Sequence, residues 1–207
     1  MLRRKLRQAY LPVRQAGFTL IEMMIAITIS ALVSLTAYSI FSTLLNQYFG
    51  LQADGSEFTN LAGESQRLAN VVRGLTDVIS ESSNDLTVYA YFAPNDAYVS
   101  QIHYYLSANA KTLYADVTPM SANPPIGTPL VAQKATYKVI DNYYQLSGVP
   151  LFNYLDASGA TLTLPIADEN SIKGIQINLA VPAPFPTAAG NQRISLQVSL
   201  RNRKTNL

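Results

Sequence analysis

The chain has 207 residues, an apolar fraction of 48% and a formal charge of +2. That length suits one domain plus an appendage, and the apolar fraction argues against disorder. Cysteine is absent, which excludes a disulfide framework and a thiolate metal site, so an exported domain would have to rest on its hydrophobic core.

Residues 1–17 form a short basic leader with Arg3, Arg4, Lys5, Arg7 and Arg14 and no acidic residue. Without it the chain keeps ten Lys/Arg against thirteen Asp/Glu, a net charge of −3. The overall charge is therefore not that of a nucleic-acid binder, and only a role in DNA uptake would call for such a partner. The leader meets an apolar run at Gly17-Phe18-Thr19-Leu20-Ile21-Glu22, after which residues 23–41 carry no charge. Residues 18–41 would span about 36 Å as a helix, enough to cross a hydrocarbon core of about 30 Å. The leader cations predict a cytoplasmic N-terminus and a body on the outer side. A carboxylate inside such a span costs about 2–3 kcal/mol at mid-bilayer, which makes Glu22 a functional candidate. Ala26, Ala31 and Ala37, with Thr28, Ser30, Ser34, Thr36 and Ser39, would let sister helices approach closely. An ordinary secretory signal would instead be cut after its apolar stretch, and a weak site of that kind falls at Ala37-Tyr38-Ser39. The apolar run is longer than a usual signal core, and the junction string would then be a coincidence.

The junction resembles the prepilin processing site of type IV pilins and type II secretion pseudopilins. The resemblance implies cleavage between Gly17 and Phe18 by a prepilin peptidase and N-methylation of Phe18. It also gives Glu22 the place of the acid used in filament assembly, with other pilin or pseudopilin subunits, an assembly ATPase and its membrane platform as partners. The physics of the string agrees. Gly17 has no side chain, so a peptidase can approach the backbone. A cut before the apolar run keeps that run as a permanent helix. Glu22 would lie one turn inside the new amine and could offset a neighbour's amine, pair with its own, or snorkel to the headgroups. The implied localisation is the cytoplasmic membrane, single-pass, and then a filament outside it. The alternative is a signal-anchored adhesive or enzymatic ectodomain that does not polymerise.

Beyond the span, Leu61, Ser65, Leu68, Val72, Leu75 and Ile79 recur with the spacing of one buried helical stripe. No proline occurs between residues 18 and 93, so a helix is predicted from Phe18 to about Ser80. Residues 50–56 are its expected bend or melted turn. Strands are predicted at 86–92, 98–106, 113–117, 136–140, 143–147 and 151–155, with a proline-rich loop at 119–129. Asp156-Ala157-Ser158-Gly159 reads as a hairpin turn before a strand at 161–164. Strict alternation at 175–181 and 194–200 marks strands buried on one face, joined by a loop over 182–190. These signals give a leader (1–17), a membrane or assembly helix (18–41), its amphipathic continuation (42–82) and a β-rich head (83–207). The fold class is α+β and pilin-like: a long N-terminal helix packed on an antiparallel sheet. The size, the absence of cysteine, and the elements Tyr154-Leu155-Asp156…Gly159 and Ser199-Leu200-Arg201-Asn202 look like those of minor pilins or of the J-type minor pseudopilin. Many pilins close a C-terminal loop with a disulfide, and this chain departs from them there.

Catalytic constellations are weak. His103 is the one histidine and sits in a predicted strand, and no nucleophile elbow, phosphate loop or zinc-binding helix motif is present. Asp96, Asp116, Asp141 and Asp156 each fall in turn-like sequence with a local use. Asp168-Glu169-Asn170 could offer oxygens to Ca²⁺ but reads as a solvated turn. Tyr89, Tyr91 and Tyr98 could form one ladder, with packing as the ordinary explanation. The basic group Arg201, Arg203 and Lys204 reads as a solvated tail. No enzymatic activity, metal or cofactor is expected.

Overall fold

The computed structural model describes residues 17–182 and 191–203. The leader up to residue 16, most of the expected loop over 182–190, and Lys204 lie outside the described residues. The chain divides into two compact units, Met1–Phe49 and Gly50–Leu207.

Helix α1 runs over Leu20–Arg73 and contributes to both. Residues 50–56, where a bend was expected, are helical. Isolated glycines cost about 1 kcal/mol each in a helix, and without proline every backbone donor there keeps its place in the ladder. The helix stops seven residues before the expected end near Ser80. Gly74 N donates to Asn70 O (3.3 Å) and Val71 O (3.1 Å), and Leu75 N to Val72 O (3.2 Å). Thr76 N then leaves the helix for Tyr89 O at 2.7 Å. The freed carbonyls of Gly74 and Leu75 both accept from Asn202 Nδ2, at 3.4 and 3.1 Å, so one side-chain amide closes this helix end. Asn202 is thereby held at this helix end, while Arg201 beside it is exposed, as expected of that basic group.

Ile79, read as the last member of the helical stripe, belongs to strand β1 (Asp77–Glu81). Its neighbour Val78 is the buried one, at 1% exposure. A five-stranded antiparallel meander follows as β1, β2 (Asp85–Ala90), β3 (Ser100–Leu106), β4 (Leu113–Pro119) and β5 (Ala135–Ile140), neighbours in space in chain order. Strands β6 (Phe152–Leu155), β7 (Gly174–Val181) and β8 (Gln192–Ser199) make a second antiparallel sheet, where one sheet was expected. The strand predicted at 143–147 is irregular backbone that bonds β7 through Tyr144 N to Ala180 O at 2.8 Å. The strand predicted at 161–164 is reduced to a bridge between Thr161 and Leu155. The Asp156 turn before it forms as expected, with Gly159 at φ +83°, a backbone that favours glycine.

The alternation in β2 and β3 puts Leu86, Val88, Ala90, Ile102 and Tyr104 inward. Leu61, Leu68, Val72 and Leu75 of α1 join the same core at 3, 2, 0 and 0% exposure. The second sheet adds Phe152, Tyr154, Ile175, Ile177 and Val198. Strand β7 is buried on both faces, not one, because the chain around Pro150 covers Asn178, whose Nδ2 donates to Pro150 O at 3.0 Å. Tyr154 ties the β6 side to the β1–β2 turn, with its hydroxyl donating to Ser82 O (3.0 Å) and Asp85 O (3.3 Å).

Candidate functional site

Gly17, Phe18 and Thr19 precede the helix, and α1 begins at Leu20. A side chain at Gly17 would meet nothing within 4 Å, and Phe18 is 84% exposed. Thr19 occupies the N-cap and Glu22 the third helical position. Thr19 N donates to Glu22 Oε2 at 2.8 Å, Thr19 Oγ1 to the same oxygen at 3.0 Å, and Glu22 N to Thr19 Oγ1 at 3.3 Å. This reciprocal pattern is a capping box, in which each side chain satisfies a helix-end donor of the other. The Thr-x-x-Glu spacing of Thr19 and Glu22 is the sequence signature of this cap. The acid is thus held against its own helix start, and Oε1 bonds no described residue.

After the cap, the apolar side chains of the first unit are uncovered. Leu20, Ile27, Leu32, Leu35 and Ile40 are each about 60–79% exposed. The helix contains an 18-residue window of mean hydropathy 2.0, none of it buried. By length and composition it can cross a membrane. The interspersed hydroxyls keep no loose donors at several positions. Thr28 Oγ1 donates to Met24 O, and Thr36 Oγ1 to Val33 O, both at 2.8 Å. Ser42 Oγ and Thr43 Oγ1 both donate to Ser39 O at 2.9 Å. Polar residues are in this way compatible with an apolar surrounding.

The head holds the residues set aside on sequence grounds. Asp96 accepts from Ala93 N at 2.8 Å, and Asp168 from Asn170 N at 3.0 Å. Asp156 Oδ1 accepts from Ser158 N and Ala160 N at 2.7 and 2.9 Å, and Asp141 pairs with Lys138 at 2.9 Å. All four do local turn work, as expected. Asp116 does not, for it lies inside β4 rather than in a turn. Its carboxylate accepts from Thr136 Oγ1 at 2.6 Å and faces Lys134 Nζ at 2.6 Å. Burial pushes its pKa up, but the hydrogen bonds and charge of Lys134, with the Thr136 and Tyr105 hydroxyls, outweigh that and hold it below the usual carboxylate range.

His103 Nε2 lies 2.7 Å from Asp85 Oδ2, and its ring stacks on Tyr105 with centroids 4.8 Å apart. Tyr105 continues to Tyr114 at 5.8 Å, so the aromatic row runs across β3 and β4 rather than through Tyr89, Tyr91 and Tyr98. Tyr104 and Tyr154 are buried, which pushes both phenols well above their ordinary pKa. Among the described residues, no group of three His, Cys, Asp or Glu is placed to hold a metal ion.

Residues 13–38 match the family model of the prokaryotic N-terminal methylation motif. No curated protein matches the chain. The matched segment begins within the basic leader and ends on the uncovered helix, and the part of that helix beyond Gly50 packs on antiparallel sheets. The chain thus carries a prokaryotic N-terminal methylation motif at the start of a long helix, in an α+β, pilin-like fold.

Proposed function

We propose that the chain is a structural subunit of a type IV pilus or type II secretion-type filament, of the minor pilin or J-type minor pseudopilin kind, and not an enzyme. The leader stays in the cytoplasm and the head faces outward. Prepilin peptidase cuts between Gly17 and Phe18 and methylates the Phe18 amine. An assembly ATPase and its membrane platform then move the subunit into a filament. The carrying observation is an apolar helix that begins three residues after Gly17 and covers none of its own surface. Such a surface needs lipid first and sister helices later. The exchange is tolerable because helices in lipid associate through close packing rather than hydrophobic gain.

In this reading Glu22 has two tasks on two oxygens. Oε2 caps α1 through Thr19, and Oε1 remains to meet the methylated amine of a neighbouring subunit. A lone buried amine is costly, and a carboxylate partner removes most of that cost. Glu22→Ala is therefore expected to insert and lose its leader normally but to enter filaments about ten-fold less than wild type, by analogy with the loss of one partner of a desolvated pair. Membrane and sheared-filament fractions of cells expressing the full chain and its assembly system give the ratio directly. Normal incorporation of the variant would contradict the pairing.

A further inference from the structure

Within Gly50–Leu207 the polar face of α1 borders an open groove. Gln66, Arg67 and Asn70 are exposed and face the segment after β2, where Tyr91, Ala93 and Pro94 complete a cleft of about 530 Å³. A second cleft of about 530 Å³ also has Tyr91 in its wall, together with Asn123, Pro124, Asn170 and Asn202. Tyr91 is thus common to both clefts and is 43% exposed. Its ring stacks on no other ring among the described residues. It offers a flat apolar surface in the middle of a polar groove.

The amides around it are anchored and only half used. Gln66 Nε2 donates to Asn70 Oδ1 at 3.1 Å, which leaves Gln66 Oε1 as an acceptor and Asn70 Nδ2 as a donor. Asn123 Oδ1 accepts from Val99 N at 3.0 Å and leaves its Nδ2 as a donor. Asn202 Nδ2 donates to the carbonyls of Gly74 and Leu75 and leaves its Oδ1 as an acceptor. Two donors and two acceptors are therefore held in place before any ligand arrives, which lowers the ordering cost of binding. A sugar hydroxyl both donates and accepts, so it suits such a mixed set. A phosphate or a carboxylate only accepts, and it would leave Gln66 Oε1 and Asn202 Oδ1 unmatched.

The charges agree with a neutral ligand. The Arg67 guanidinium lies over the Phe92 ring, 4.9 Å from its centroid, and Glu64 shares an adjoining pocket with it. Asp77 borders the second cleft. The groove thus has no excess of cations to hold a polyanion.

We propose that this groove binds a chain of neutral hexose units, with one sugar ring against Tyr91 and the four amides on the hydroxyls around it. The C–H face of a pyranose is apolar and flat enough to lie on an exposed tyrosine, while its rim of hydroxyls needs polar partners. The site belongs to the head, so it stands or falls independently of filament assembly.

The test is titration calorimetry on the full chain in lauryldimethylamine oxide, a detergent without a sugar headgroup. Cellohexaose, maltohexaose and mannohexaose are the probes, and at least one should bind with a Kd of about 1 mM or tighter. Tyr91→Ala should weaken that binding roughly ten-fold, and Asn70→Ala about five-fold. A Cβ at Gly63, in the wall of the first cleft, would meet nothing within 4 Å. Gly63→Leu therefore fills the cleft without disturbing α1, and it should weaken binding roughly ten-fold at an unchanged unfolding midpoint. Tyr144→Ala, equally exposed but outside the groove, should bind as wild type does. The proposal is overturned if none of the three chains binds, or if Tyr91→Ala and Gly63→Leu bind like wild type. Tighter binding of hexagalacturonate or of a short deoxythymidine strand than of every neutral chain would also overturn it, and would assign the groove to an anion instead.

Discussion

Residues 20–49 and residues 61–75 both carry apolar side chains of α1, yet these meet their surroundings in opposite ways. In the first, Leu32 is 60% exposed and Ile29 57%. In the second, Leu68 is 2% exposed and Val72 0%. The pattern of the sequence already separates them. The first is apolar around its whole circumference, so no single sheet could cover it. The second is apolar on one stripe, and two sheets cover that stripe. An all-round apolar helix that stays uncovered asks for a solvent other than water, whereas a striped one asks only for its own domain.

This contrast can be broken most sharply by matched truncations. Leu68→Ala should cost the head about 2–5 kcal/mol through lost burial and a residual cavity. Leu32→Ala should leave the thermal unfolding of the head unchanged in detergent-extracted full-length protein. Equal effects at the two positions would mean that the first segment is packed on the head after all. A smaller effect is expected where the two sheets are tied together. Tyr154→Phe leaves the carbonyls of Ser82 and Asp85 without that donor and should lower stability by about 1–3 kcal/mol. No change in the denaturant midpoint would show that the hydroxyl is dispensable.

The smallest effect concerns pH. Asp116 is held below its ordinary pKa in the folded head by Lys134, Thr136 and Tyr105, against the opposing effect of burial. A carboxylate depressed on folding stabilises fully above its unfolded pKa and loses that contribution as pH falls through the folded one. Head stability should therefore decline below about pH 4, and less so in Asp116→Asn. Identical acid profiles for the two proteins would remove Asp116 from that role.

The legible parts of the fold were those with a strong local period. The alternation at 175–181 and 194–200 marked β7 and β8, and the stripe from Leu61 to Leu75 marked the buried helix face. Strand β1 was hidden because Ile79 continued the helical period, while its ladder partners begin across a turn, with Asp77 against Tyr89. The outcome there depended on where Asn202, 128 residues away from Gly74, closes the helix end. Asp116 was misplaced for a similar reason, since Thr136 lies 20 residues off and gives no local sign. At the junction the residue types Gly17, Phe18 and Glu22 were plain. The capping role of Thr19 also has a local sign, the Thr-x-x-Glu spacing to Glu22. Division of the chain into two sheets had no local signature at all.

The central claim is that the leader is removed ahead of the apolar helix and that the helix itself is kept. Intact-mass measurement of the protein extracted from native membranes tests it most directly. The account predicts a polypeptide that starts at Phe18 and carries one added methyl group. A mass that still includes residues 1–17, or one that lacks residues 18–39, would contradict it.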